Sequence, residues 1–161
     1  MSIFSAVFCS VADEWRGVET DLDDAASIDD VADAMRDSCG LAADGTMVLF
    51  MEADDEWFAV VRVDDHADPR VFLSDVRVVH EHPVAALLLD SGEIEAPEQA
   101  EGTGQKPYPK PGGDTDLLGD LGTPSGDLVT LTTSEGLLPG DVLAEIAERA
   151  GFGEPLDALR L

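Results

Sequence analysis

Two β-rich runs joined by a very short connection restrict the fold of this chain first. Thr46 to Met51 and Glu56 to Val63 are rich in branched and aromatic apolar residues, which strands favour. Only the acidic segment EADD separates the two runs. Parallel strands need a crossover of about a dozen residues or more, whereas antiparallel strands can be joined by a tight turn. The sequence therefore predicts an antiparallel pair in this region.

Further strand patterns lie on both sides of this pair. Ile3 to Val11 and Val18 to Leu22 predict an opening hairpin, with the segment ADEWRG as its turn. Arg70 to Ser74 predicts one more strand of an antiparallel meander. We expect Trp15 to lie in the core or on a sheet face, or to anchor an interface if it is exposed.

Two helices are predicted among these strands. Ser27 and Asp30 resemble a capping box, which starts a helix whose apolar face carries Ile28, Val31, Ala32 and Met35. The segment HPVAALLLDSG predicts a short second helix with Pro83 in its first turn. The order ββαβββα predicts an α+β fold, in which helices lie on one face of an antiparallel sheet of about five strands and a C-terminal helical segment follows.

Composition changes after this first part of the chain. The segment GTGQKPYPKPGG combines prolines that stiffen a chain with glycines that loosen it. We expect an α+β domain at 1–92, an acidic and Pro-Gly-rich linker at 93–113, and a helical tail at 114–161 that packs on the first domain. Within the tail, Thr123 is expected to cap a helix that starts at Pro124.

The last helix of the tail has the clearest apolar stripe: Val142, Leu143, Ile146, Ala147 and Ala150. Gly151 follows it at the position of a left-handed helix-ending residue, and Phe152 can fold back over the last turn. A phosphate loop places its glycines before a helix, where unpaired N–H groups face the anion. Gly151, Phe152 and Gly153 come after one, so they are predicted to end the helix.

The net charge of the chain excludes some classes of binding function. The chain has 35 acidic and 9 basic residues and a formal net charge of -26, which repels nucleic acids and anionic membranes. No apolar run reaches the roughly 18 residues of a membrane span, and no signal peptide is recognisable. Cys9 and Cys39 have neither C-x-x-C spacing nor a secretory context, so no disulfide framework is expected. We expect a cytoplasmic protein.

Candidate catalytic or metal-binding residues are sparse. His80, Glu81 and His82, helped by Asp75 or by Asp65 with His66, are the best metal candidate, but no zinc pattern has this spacing. Ser74 lacks the G-x-S-x-G elbow of serine nucleophiles, and we expect Ser74 and Asp75 to brace a strand end by bonding to their own backbone. The prediction is that the protein has no catalytic residues, cofactor or metal.

Two groups of residues give the chain a family resemblance. They are Leu73, Ser74 and Asp75 in the middle, and Pro139, Leu143, Ile146, Ala147, Gly151, Phe152 and Gly153 in the segment LLPGDVLAEIAERAGFGEPLD. With the opening hairpin and EWFAVVRV, they make most of the chain, except the linker, resemble the actinobacterial tRNA adenosine deaminase-associated proteins. The resemblance implies association with the gene of a tRNA-editing deaminase and supplies no catalytic residues.

The chain does not resemble the deaminase itself. Zinc-dependent base deaminases need a His-x-Glu motif and a Pro-Cys-x-x-Cys motif, and neither His80-Glu81 nor the two cysteines provide them. Our leading hypothesis is a non-enzymatic accessory protein whose partner is a protein, a tRNA adenosine deaminase, and which binds neither nucleic acid nor membranes. Two alternatives stay open: a small hydrolase or metal-dependent enzyme that uses His80, His82 and nearby carboxylates, and an acidic mimic of nucleic acid.

Overall fold

A computed structural model shows one antiparallel sheet with helices on both of its faces. It describes residues 3–11, 14–20, 22, 25–39, 46–53, 57–64, 69–76, 83–88, 111–134 and 138–159. The sheet has the strand order β2-β1-β3-β4-β5-β6. The elements along the chain are β1 (Ile3–Val11), β2 (Glu14–Glu19), α1 (Ile28–Cys39), β3 (Thr46–Ala53), β4 (Trp57–Asp64), β5 (Arg70–Leu73), α2 (Pro83–Leu87), β6 (Gly112–Gly113), α3 (Ser125–Thr133), α4 (Pro139–Ala150) and α5 (Gly153–Leu159).

The α+β class is confirmed, and the sheet has six strands where about five were predicted. The pair that the short connection predicted is β3 and β4, which run antiparallel from Thr46 opposite Asp64 to Ala53 opposite Trp57. The additional strand is β6, whose Gly112 lies opposite Leu73. Its residues fall at the end of the range predicted as a linker. Residues 93–110 lie outside the described residues, so the division into 1–92, 93–113 and 114–161 stays a prediction.

The opening hairpin differs from its prediction in one respect. β2 begins at Glu14, opposite Val11, and not at Val18. The segment predicted as a turn therefore contributes Trp15 and Gly17 to the strand. The reason is packing, because Trp15 lies against Phe152 with the ring centroids 4.9 Å apart.

The two faces of the sheet carry separate apolar cores. The N-terminal face, covered by α1 and α2, takes one set of alternating strand residues, which includes Val7, Leu49, Met51, Val61 and Leu73. The C-terminal face, covered by α3, α4 and α5, takes the other set, which includes Phe8, Phe50, Phe58, Val60 and Phe72. The helices α1 and α2 lie on one face as expected, and the C-terminal helical segment covers the opposite one. The result is a three-layer arrangement with the sheet in the middle.

The N-terminal face is closed mainly by α1. Its start follows the predicted capping pattern, because the Ser27 hydroxyl accepts a 3.2 Å hydrogen bond from the Asp30 N–H and the Asp30 carboxylate accepts one from the Ala26 N–H. The predicted apolar residues are all buried: Ile28, Val31, Ala32 and Met35. Pro83 begins α2, as the sequence predicted. No helix among the described residues is long and apolar enough to cross a bilayer.

On the C-terminal face, α4 has the predicted apolar stripe. Val142, Leu143, Ile146 and Ala147 are buried. Gly151 ends the helix in the left-handed conformation at φ 99°, and the N–H groups of Gly151 and Phe152 both donate to the Ala147 carbonyl. The prediction that the glycines end the helix is confirmed. The short helix α5 that starts at Gly153 was not predicted.

The start of α3 corrects another prediction. Pro124, and not Thr123, is the capping residue, and no side chain hydrogen-bonds to the first turn. Thr123 is fully buried, and its hydroxyl has no hydrogen-bond partner among the described residues. The Thr123 side chain points into the packed interior, so it cannot reach the helix N–H groups.

An arginine of the sheet holds the segment between β6 and α3. Arg62 of β4 has a 6% exposed side chain, donates to the Leu117 carbonyl at 2.6 Å, and forms a bidentate pair with Asp120. Arg70, the residue opposite Arg62 on β5, donates to Asp114 at 2.6 Å. The hydrogen bond from Arg62 lowers the pKa of Asp120, although burial opposes the shift. These contacts fasten the segment to the sheet by charge-assisted bonds.

Cys9 overturns the expectation that the chain has no disulfide. Cys9 is disulfide-bonded, and no described cysteine has a free thiol. The sequence contains one other cysteine, Cys39, at the end of α1. The sequence separation of the two residues was misleading, because α1 packs against β1 in the folded chain.

Candidate functional site

A surface cleft lies where β2 meets the turn between α4 and α5. Its volume is about 570 Å³. The lining residues come from two distant parts of the sequence: Glu14, Trp15, Glu148, Gly151, Gly153, Glu154 and Pro155. We call this the Trp15 cleft.

Aromatic packing places the tryptophan in this cleft. Trp15 lies opposite Ser10 and is half-buried, with its ring inclined at 56° to that of Phe152. Phe152 is fully buried and stacks on Phe8. One side of the indole is therefore held by the core, while part of the ring remains accessible to solvent.

The turn between the helices leaves room beside the indole. Gly151 needs its positive φ, which favours glycine, to end α4. A Cβ atom at this position would lie 3.7 Å from the Cδ1 and Nε1 atoms of Trp15. Because glycine has no side chain, the indole faces the cleft uncovered.

The described charged residues that line the cleft all have the same sign. Glu14, Glu148 and Glu154 are exposed and line it, and no arginine, lysine or histidine of the described part of the chain does so. An accessible indole attracts cations over its ring, and carboxylates form charge-assisted hydrogen bonds with guanidinium and ammonium groups. The arrangement therefore suits a positively charged side chain or ligand.

The structure does not bring the two motif groups together. The first group is buried at the end of β5, near the edge of the sheet opposite to β2: Leu73, Ser74 and Asp75. Pro139, Leu143, Ile146 and Ala147 belong to α4, whereas Gly151 and Gly153 line the Trp15 cleft and Phe152 supports it. The C-terminal motif is thus the part nearest to a candidate site.

Ser74 has a structural contact of a different kind from the one expected. Its hydroxyl accepts a hydrogen bond from the Phe58 N–H at 2.9 Å, and its own N–H donates to the Phe58 carbonyl at 2.9 Å. The bonds therefore run to the neighbouring strand and not to its own backbone. Ser74 extends the pairing of β4 and β5 by one position.

The metal candidate of the sequence cannot be placed. His80, Glu81, His82, Asp65 and His66 lie outside the described residues, and Asp75 is buried. Within the described ranges, no group of three or more histidine, cysteine, aspartate and glutamate residues could hold a metal ion. The alternative of a metal-dependent enzyme centred on His80 and His82 stays a prediction.

Sequence reasoning missed the glutamates of the cleft. Glu14 is part of the segment predicted as a turn, and the sequence predicts no role for Glu148 or Glu154. One signal was available, because Trp15 was recognised as an interface anchor if exposed. What the sequence did not indicate is that β2 and the Gly151 turn are neighbours.

These features define a small α+β domain with an acidic, aromatic-lined surface cleft. The family model of the Rv3753c-like tRNA adenosine deaminase-associated proteins matches residues 3–153, and the chain belongs to this family. It is similar to Protein Rv3753c of Mycobacterium tuberculosis (strain ATCC 25618 / H37Rv), with 31% identity over 120 residues. The match covers 74% of this chain and 66% of that protein, just under two thirds of the relative's length. No solved structure matches the chain.

Proposed function

We propose that this protein is a non-enzymatic accessory protein that binds a tRNA adenosine deaminase. The family name supports the identity of the partner, since it describes its members as deaminase-associated proteins. The Trp15 cleft is the structural observation that carries the proposal. Its accessible indole and three glutamates suit a basic group on a protein surface.

Charge complementarity supports the same partner. An enzyme that holds tRNA needs basic side chains against the phosphates of its substrate. This chain has a net charge of -26, so it is attracted to such a surface and is steered toward it from a distance. In this arrangement the protein and the tRNA compete for the same basic surface of the enzyme. The accessory protein then limits editing when it is bound and permits editing when it leaves.

Direct binding tests the proposal. The purified chain is titrated with the tRNA adenosine deaminase of the same organism, at about 50 mM and about 300 mM salt, by calorimetry. We expect binding at low salt that weakens by about tenfold or more at high salt, because the contacts are between charged groups. No binding at the lower salt concentration would contradict the proposal.

Competition with tRNA tests the mechanism separately. Addition of substrate tRNA is expected to displace the chain from the enzyme, and addition of the chain to slow deamination without changing the rate at saturating tRNA. A ternary complex in which enzyme, tRNA and this protein remain together would show that the protein binds another surface.

A further inference from the structure

We propose that the open edge of β2 and the Trp15 cleft form one docking surface, on which an extended basic segment of the partner protein adds a further strand to the sheet. This inference rests on the proposed function and specifies the part of the partner that binds. Strand addition at an exposed edge derives its affinity from backbone hydrogen bonds and its specificity from pockets for alternate side chains.

The backbone of β2 has outward-facing hydrogen-bonding groups. The Thr20 N–H donates to the Ser5 carbonyl at 2.9 Å, which makes Ser5 and Thr20 a hydrogen-bonded pair. Such pairs alternate along an antiparallel ladder, so the backbone groups of Trp15, Gly17 and Glu19 face away from β1. No strand lies beyond β2 in the described sheet.

This edge is accessible in the described part of the chain. Glu14, Arg16, Val18 and Glu19 are exposed, and Val18 is 38% exposed although it is apolar. The helix α5 packs beside β2, but it lies on the C-terminal face, where Leu159 approaches Gly17.

The edge and the cleft share residues. Glu14 and Trp15 belong to β2 and also line the cleft. A side chain of the added strand that lies opposite Trp15 therefore projects toward the indole. An arginine or lysine there would stack on the ring and lie near Glu148 and Glu154.

Net charge indicates which kind of molecule can pair with the edge of β2. Two copies of this chain each carry a net charge of -26 and repel each other, which disfavours pairing of two β2 strands. A segment with alternating basic and β-branched residues combines strand propensity with the opposite charge. We therefore expect an extended basic segment of the partner and not a second copy of this chain.

A labelled peptide tests the surface directly. The probe is fluorescein-Arg-Val-Arg-Val-Arg, and binding to the full chain is measured by fluorescence anisotropy at low salt. A matched probe carries N-methyl groups on alternate backbone nitrogens, which removes donors without changing charge. We expect the N-methylated probe to bind about tenfold more weakly, or worse. Equal binding of both probes would show attraction by charge alone and would overturn strand addition.

Variants of the chain locate the surface. Glu148→Gln with Glu154→Gln removes two of the three carboxylates that line the cleft, while Asp29→Asn with Asp37→Asn removes the same charge from exposed positions on α1. We expect the first pair of changes to lower the affinity for the probe by about tenfold and the second pair to lower it much less. Equal losses would overturn the cleft as the binding site. Sedimentation must also show a monomer, because self-association through the edge would assign β2 to a dimer interface.

One further variant separates this inference from the proposed function. Glu19→Pro removes an outward-facing N–H of β2 and leaves the hydrogen bonds to β1 in place, with folding checked by circular dichroism. We expect this variant to bind both the probe and the deaminase more weakly than the original chain does. If the deaminase binds this variant as well as the original chain, the docking surface is wrong and the proposed function stands. If the original chain binds the probe and does not bind the deaminase, the surface stands and the proposed partner is wrong.

Discussion

Phe152 stacks on Phe8 with the ring centroids 4.5 Å apart and the ring planes inclined at 14°. Since Phe152 directly follows the last turn of α4, this contact fastens the end of the helix to β1. We expect Phe152→Ala to lower the free energy of unfolding by about 3–5 kcal/mol, measured by urea denaturation. Leu138→Ala is the control, because Leu138 is 48% exposed and should change stability by less than about 0.5 kcal/mol. Similar losses in both variants would refute the stacking contact.

The apolar stripe of α4 is buried by the chain itself. Leu143 and Ile146 are fully buried on the C-terminal face. Changing both to Asp places carboxylates in an apolar core, so we expect the chain to be unfolded at 25 °C by circular dichroism. The control changes Ala144 and Ala158 to Asp, which adds the same charge at exposed positions and should preserve the fold. A folded double variant that has lost only its partner would show that the stripe serves binding.

Two glycines should respond in opposite ways to the same substitution. Gly151 has a φ of 99°, which costs an alanine roughly 1–2 kcal/mol, so Gly151→Ala should lower the melting temperature. Gly126 lies in α3 and a Cβ atom there meets nothing within 4 Å. Gly126→Ala should leave stability unchanged or raise it by up to about 1 kcal/mol. A higher melting temperature for Gly151→Ala would contradict the left-handed helix end.

The pair between Arg62 and Asp120 predicts a loss of stability in acid. The pKa of Asp120 is lower in the folded chain than its ordinary value, which is about 3.9 in unfolded peptides. The contribution of this carboxylate to the free energy of unfolding is therefore complete above about pH 4. It is lost as the pH falls through the folded-state pKa. Asp120→Asn lacks this dependence. We expect the stability difference between the original chain and the variant to be larger at neutral pH than at about pH 2.5, as measured by denaturation at each pH.

Much of the sheet could be predicted because its signals are local. The segment EADD between two β-rich runs left room for a turn only, and the α4 stripe with Gly151 after it marked both the buried side and the end of a helix. One available signal was not used. Every residue of β4 from Trp57 to Val63 is buried, and the unbroken apolar run from Trp57 to Val61 indicates a strand covered on both faces.

The candidate site could not be predicted because it depends on tertiary proximity. Glu14 and Glu154 are far apart in sequence, and the packing of Phe152 on Phe8 and Trp15 brings their segments to one cleft. The disulfide at Cys9 was missed for the same reason. The two-residue strand β6 has no side chains that could have produced a periodic pattern.

The two cores of the sheet are completed at different times during synthesis. The N-terminal face is closed by α1 and α2, so all its described parts have been made once the ribosome passes residue 88. The phenylalanines of the opposite face belong to the same strands, yet their covering helices begin only at residue 125. A nascent chain that has already formed β1 to β5 therefore exposes Phe8, Phe50 and Phe72 to water until its last helices emerge. During this interval the nascent chain presents the kind of apolar surface that chaperones recognise, and this second core is complete only when α3 to α5 have been made.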